Sequence, residues 1–264
     1  MKTFTIGKKK IVLKEEWMVG FITTWIVGLL AHAYRFFNFL PIWDSIYNFT
    51  GVGSTYTLGR WFLGYAGRIT SMFDLPWVNG AFSLFYISIV VILLTEMFEI
   101  KNKGMIVLCA AIFVSFPTVV SSFAYMYTAD AYLLAFLLAT LAVYLTWCVK
   151  KWGTIAGMVC LAFAMGIYQA YATVAIVLVL LYIIRQFVIE KLDFLEAVRK
   201  DLKYLGMLVG GAVLYAVILK ITLIRYNITL PGYQGIGALG IMSLGQYKAA
   251  LQKTLYHFRL ILGM

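Results

Sequence analysis

The chain has 264 residues, 63% of them hydrophobic and only 12% charged, with a mean hydropathy of +0.90. A soluble domain carries roughly 25% charged residues, so this chain lacks the polar surface to cover a water-soluble globule. Its net charge of +11 falls in short runs between apolar segments, a pattern that argues against nucleic acid and for membrane lipids or a phosphorylated lipid as partners.

The first fourteen residues carry Lys2, Lys8, Lys9, Lys10 and Lys14 ahead of an apolar segment at 17–37. Ala31-His32-Ala33 gives this start a likeness to a secretory signal with a small-residue cleavage site. Against that, Glu15-Glu16 abuts the run, which continues into Tyr34 and Phe36; either way residue 40 lies outside. Six more apolar segments follow, at 77–97, 104–123, 129–149, 153–170, 172–190 and 204–224. At roughly 20 residues per crossing the expectation is an all-α polytopic membrane protein with about seven transmembrane helices. A tight turn at Tyr168-Gln169-Ala170-Tyr171 separates the fifth and sixth.

Aromatic residues mark the segment ends, as interfacial belts require. Trp17, Trp147, Trp152 and Tyr204 sit beside basic clusters, and Tyr34, Trp77, Tyr125, Tyr127, Tyr168, Tyr171 and Tyr226 mark the opposite ends. With the N-terminus in the cytoplasm, 14 of the 22 basic residues face inward and the long external stretches hold the other eight, which satisfies the positive-inside rule. Residues 185–203, with Phe187, Leu192, Leu195 and Val198 among charges, read as an amphipathic helix on the inner surface. A module over 1–225 then contains a first outer loop at 38–76. Residues 226–264 form an external loop with an amphipathic stretch (Leu244, Tyr247, Leu251, Leu255, Phe258).

No ionisable side chain falls at the middle of a span, where ion-coupled transporters place one. Eight of the eleven carboxylates lie at the inner side; only Asp44, Asp74 and Asp130 lie outside. Asp74 precedes Leu75-Pro76-Trp77 and reads as a helix cap, and Asp130 opens the fourth span. Asp44 sits early in a loop of nearly forty residues, the kind of loop that is more often functional than a mere connector. In the same loop Leu58, Trp61, Phe62, Tyr65, Ile69 and Met72 fit one face of an interfacial helix, with Arg60 and Arg68 towards another. A guanidinium at that depth suits phosphate, because its planar fork donates two hydrogen bonds at once. Cys109, Cys148 and Cys160 lie in apolar stretches without metal-ligand or disulfide spacing, and His32 and His257 form no ligand pair. No metal site and no cofactor is expected; dependence on a divalent metal stays open.

These features resemble a family. The basic N-terminus, a single span, the outer loop with Asp44, Leu58-Gly59-Arg60-Trp61 and Tyr127-Thr128-Ala129-Asp130-Ala131-Tyr132 are similar to the bacterial type-II Gtr glucosyltransferases, and through them to the wider GT-C glycosyltransferases, over residues 15–225. The resemblance implies a multispan enzyme of the bacterial cytoplasmic (inner) membrane with interfacial helices in its outer loops. It implies inverting transfer of a sugar, glucose by the family's name, from a polyprenyl-phosphate carrier to a cell-surface polysaccharide such as O-antigen, on the extracytoplasmic face. Asp44 matches the catalytic carboxylate, Asp130 the acidic residue of a later span, and Arg60 the phosphate-facing base; Arg68, Arg225, Trp61 and Tyr127 join it as expected substrate contacts. Two departures are visible: Asp44 is followed by Ser45 rather than a second acid, and family members carry further spans, which makes a short form or a fragment the expectation here. A lipid-linked sugar translocase and a non-catalytic membrane subunit that works with partner membrane proteins are the alternatives.

Overall fold

In a computed structural model the chain is described over residues 2–6, 9–47, 55–70, 74–191, 194–230, 243–261 and 263. It opens with an antiparallel hairpin, β1 (Lys2–Ile6) and β2 (Lys9–Leu13), in which Thr3 pairs with Val12 and Thr5 with Lys10. This short ribbon precedes an otherwise helical chain, in keeping with the all-α expectation. β-Branched residues on both sides of Gly7 favour a pleated ribbon, a signal hidden behind the basic charge of the segment.

The helices follow in order: α1 (Glu15–Phe37), α2 (Trp43–Tyr47), α3 (Leu63–Ala66), α4 (Pro76–Met97), α5 (Lys103–Ser115), α6 (Pro117–Ser122), α7 (Met126–Cys148), α8 (Gly153–Ile167), α9 (Ala172–Arg185), α10 (Phe194–Tyr226) and α11 (Leu244–Ile261). Five helical stretches are long and apolar enough to cross a membrane: Glu15–Phe37, Pro76–Met97, Lys103–Cys148, Gln169–Glu190 and Arg199–Tyr226; Gly153–Ile167 is apolar but shorter. The 46-residue stretch is not straight. Pro117 forces Phe116 into extended backbone, and the rings of Phe113 and Phe136 lie 5.8 Å apart. One straight helix would separate them by about 35 Å, so the chain folds back between α5 and α7.

Large apolar side chains cover the flanks of these helices, among them Ile26, Leu30 at 80% exposure, Leu180, Val213 and Ile224. Water would not tolerate such a continuous surface; hydrocarbon does. The interior packs through small residues. Along α1 the buried face is Gly20, Thr24, Gly28, His32 and Phe36, one residue in four. A Cβ on Gly28 would stand 2.4 Å from Leu84 of α4, so glycine is what lets the two helices approach. At the far end of that face His32 Nε2 donates to the Val114 carbonyl of α5 at 2.8 Å, stapling a third helix to the pair.

The polar chemistry divides between the two ends of the bundle. One end gathers the start of α1, the end of α4, the start of α5, the end of α9 and the start of α10. There Lys14 pairs with Glu96 at 2.6 Å, Trp17 Nε1 donates to Glu96, and Lys103 pairs with Glu15. Arg185 reaches Glu99 and Glu190, and Lys200 also reaches Glu190. Three sequence expectations change here. A π-turn, Gln186–Glu190, prolongs α9, and the residues from Phe194 begin α10 itself, so no separate amphipathic helix spans 185–203 (Leu192 lies outside the described residues). Tyr204 is fully buried rather than interfacial. Arg35 and Lys220, counted with the outer loops, belong to α1 and α10.

Candidate active site

The opposite end collects the C-terminus of α1, the start of α4 and of α7, the turn between α8 and α9, and the first loop. Residues 55–70 are not one interfacial helix. They form a 3-10 turn (Tyr56–Leu58), α3 and a second 3-10 turn (Gly67–Thr70); Met72 lies outside the described residues. Gly59 breaks the helix because its φ of +69° is a left-handed conformation that L side chains avoid. A Cβ there would also strike Gln169 and Tyr215. Those two side chains fix the loop: Gln169 Nε2 donates to the Leu58 carbonyl at 2.8 Å, and the Tyr215 hydroxyl donates to the Gly59 carbonyl at 3.0 Å. On the other flank of Arg60, the Phe62 N–H donates to the Gly166 carbonyl at 2.8 Å.

Arg60 is therefore presented from backbone clamped on both sides. Its Nη1 donates to the Tyr132 hydroxyl at 3.1 Å, and its guanidinium lies 4.3 Å over the Tyr168 ring, a contact worth about 0.5–2 kcal/mol. Among the described residues no carboxylate pairs with it, and its Nε is buried without a partner. A guanidinium carries five N–H donors, and among the described residues only Nη1 has a hydrogen-bond partner.

Asp44 is exposed on α2. The Tyr127 hydroxyl lies within Coulombic reach of both Asp44 and Arg60, which puts the candidate carboxylate and the candidate anion holder around one tyrosine. Arg68 is exposed and stacks over Tyr65 at 5.2 Å. Arg225 is exposed on the last turn of α10, beside Tyr226, whose ring stacks on Tyr56 at 5.1 Å. Burial and the neighbouring Tyr65 and Tyr226 push the Tyr56 hydroxyl up to about 12, so it remains a proton donor at neutral pH.

Two expected contacts are placed elsewhere. Trp61 is 6% exposed and packs in the core on Phe163, Tyr215 and Leu219. Asp130 is 1% exposed, and its oxygens accept from Asn79 Nδ2 and Thr70 Oγ1, each at 2.9 Å. That carboxylate ties the start of α7 to α4 and to the first loop.

Asp74 is not the cap its sequence context suggested. The capping position of α4 is Leu75, whose N–H donates to Asn79 Oδ1. Both Asp74 oxygens are buried without a hydrogen bond among the described residues, facing the buried Ser45 hydroxyl and the Arg35 guanidinium. Burial pushes this carboxyl above its ordinary range, and Ser45 and Arg35 only partly offset that. Arg35 was missed by sequence reading, although a basic residue in the last turn of a span is a recognisable signal. It donates to the carbonyls of Phe123, Leu40 and Ala124, tying α1 to the first loop and to the turn before α7. Tyr215, Asn79 and Thr70 carried no local signal, and Tyr132, Tyr168 and Gln169 stood out only as a motif, a belt residue and a turn, because their contacts exist only across helices.

Among the described residues no group of three His, Cys, Asp or Glu side chains comes together as a metal site, and the three cysteines are free. The family model for Glucosyl transferase GtrII matches residues 33–261. No curated protein and no solved structure matches the chain.

Proposed function

The chain belongs to the GtrII glucosyl transferase family, and from that premise we propose that it is an inverting membrane glycosyltransferase of the bacterial inner membrane. It takes a sugar, glucose in this reading, from a polyprenyl-phosphate carrier and passes it to a surface glycan on the extracytoplasmic face. The observation that carries this is Arg60, rigidly presented on Tyr132 and Tyr168 and free of any described carboxylate.

The carrier's isoprenoid tail lies along the apolar flank of the bundle, which leaves its sugar-phosphate at the boundary where Arg60 sits. Asp44 accepts the proton of an acceptor hydroxyl while that oxygen bonds to the anomeric carbon. The bond from that carbon to the phosphate oxygen breaks in the same step, so the anomeric carbon inverts and polyprenyl phosphate leaves. Arg60 stabilises the charge that grows on the leaving phosphate, with Arg68 and Arg225 adding positive potential at the same end. Asp130 holds the platform and takes no proton. This chemistry needs no soluble nucleotide, because the lipid phosphate already serves as leaving group.

The test is transfer from a polyprenyl-phosphate glucose donor by the purified protein in proteoliposomes. General-base assistance is worth about 10²–10⁴-fold, so Asp44→Asn loses turnover by that factor while donor binding persists. Arg60→Ala weakens donor binding as well as turnover. Full transfer by the Asp44 variant removes that residue from proton transfer. Donor lipid carried across the bilayer with no covalent product would identify a translocase instead.

A further inference from the structure

The α11 helix has an apolar stripe that nothing described covers. Leu244, Tyr247, Leu251, Leu255 and Phe258 follow one another at intervals of three or four residues, so they line one face of the helix. All five are exposed, Leu244 to 89%. The charges of α11 are Lys248, Lys253 and Arg259, with no Asp or Glu. On a helical projection Lys248 and Arg259 flank the stripe along one edge and Lys253 lies opposite it.

We infer that α11 docks on an anionic phospholipid surface, lying in the headgroup plane with that stripe immersed. Three observations select this occupant. The exclusively basic charge complements anionic headgroups, and the two flanking cations stand where a long side chain can reach phosphate while its stem stays in the apolar layer. The stripe is narrow, five residues over 18, and the rest of the helix mixes Gln246, Gln252, Lys253 and His257 with Tyr256 and Leu260; a crossing helix would be apolar on all sides. Finally, seventeen residues separate Tyr226, which ends a membrane-crossing stretch, from Leu244. A connection of that length reaches at most about 60 Å, so the bilayer surface is always close and its effective concentration high. The proposal stands on the membrane reading alone and is indifferent to whether the protein transfers glucose.

The experiment places an environment-sensitive fluorophore at Leu251→Cys, and separately at Lys253→Cys, in full-length protein lacking the native cysteines. Each is reconstituted in vesicles of phosphatidylcholine with or without phosphatidylglycerol. With phosphatidylglycerol present, the probe at 251 shifts to the blue and is quenched by a lipid-borne quencher, whereas the probe at 253 is quenched by aqueous iodide. Each basic residue near an anionic surface is worth roughly fivefold in partitioning, so reversing Lys248, Lys253 and Arg259 to Glu abolishes the shift at 251. Iodide quenching that is equal at both positions would overturn the inference. So would a probe at 251 shielded equally in neutral vesicles and in detergent, with disulfide cross-links between copies, which would mean that a second chain covers the stripe. Equal burial of both probes in lipid would mark a crossing helix and overturn it as well.

Discussion

Of the three acidic residues on the candidate side, burial separates the roles that spacing could not. Asp130 opens a span and looked as exposed as Asp44 from its neighbours in sequence; it is in fact engaged from two directions by residues 51 and 60 positions away. Removing it in Asp130→Ala takes away two buried bonds, which costs roughly 1–3 kcal/mol of stability. Thermal unfolding in nanodiscs should register that loss, while turnover per folded molecule stays within about tenfold of wild type, far from the loss a general base entails. A drop as large as that of Asp44→Asn at unchanged stability would return Asp130 to the chemistry. Asp74 makes a prediction with a sign. Its folded carboxyl holds a proton to higher pH than the unfolded chain does, so stability is greatest below the ordinary carboxylate range and falls as pH rises through the raised value. Asp74→Asn has no charge to bury. The melting temperature of Asp74→Asn minus that of wild type should therefore grow across that pH window and level off above it. A difference that shrinks with rising pH would mean that Arg35 stabilises the carboxylate more than burial opposes it. Arg60 could be picked out from sequence because a cation in a glycine-aromatic segment is conspicuous. The surroundings of Asp74 and Trp61 could not, since what covers a side chain is decided by distant elements.

Helices were readable wherever one solvent surrounds them. Six of the seven apolar segments begin within about three residues of their helices, a margin that helix fraying alone would produce, because a long run of lipid-compatible residues has no competing way to satisfy its backbone. The exception is the last, where α10 begins ten residues before its apolar segment and absorbs residues given to a surface helix. The 55–70 segment failed for a related reason. Its apolar residues recur at helical intervals, yet Trp61 and Leu63 turn inward while Tyr65 and Ile69 turn out, and the left-handed Gly59 divides the run. Periodicity assumes a single continuous backbone, which that glycine removes. The α1–α4 contact gives the test at this level. Gly28→Val forces a side chain into a space where one Cβ already meets Leu84, and such overpacking costs about 1–3 kcal/mol. The damage should show as lowered stability and as loss of transfer, since α1 and α4 carry Arg35 and Asn79 to the candidate site. Gly28→Ala paired with Leu84→Ala should restore much of both.

The two polar ends are what turn a helical bundle into a directional device. One end is knitted by ion pairs among Lys14, Glu96, Lys103, Glu15, Arg185, Glu99, Glu190 and Lys200, so its charges largely cancel locally. The other keeps Arg60, Arg68 and Arg225 without a described acidic partner, a field suited to a phosphate arriving from within the lipid. Because the chain reverses between α5 and α7, and again at the 3-10 turn Gln169–Tyr171, all seven apolar segments can cross with alternating direction. In the proposed seven-span arrangement the short helix Gly153–Ile167, about 23 Å long at 1.5 Å per residue, crosses by a locally thinned bilayer or by help from its flanking residues. In the proposed topology the ion-paired end is the cytoplasmic one, the side to which the sequence gives 14 of the 22 basic residues, as the positive-inside rule requires. Single cysteines introduced at Lys101, Lys151 and Lys191 should then react with a membrane-impermeant maleimide only after the vesicle or spheroplast is opened, and cysteines at Asp44, Thr118 and Asn227 should react in intact spheroplasts. If only the five long stretches crossed, with Lys103–Cys148 as a single span, position 151 would react in intact spheroplasts and position 118 would not. Labelling of position 44 from the cytosol would do more, because a carboxylate there could never meet a glycan outside the cell.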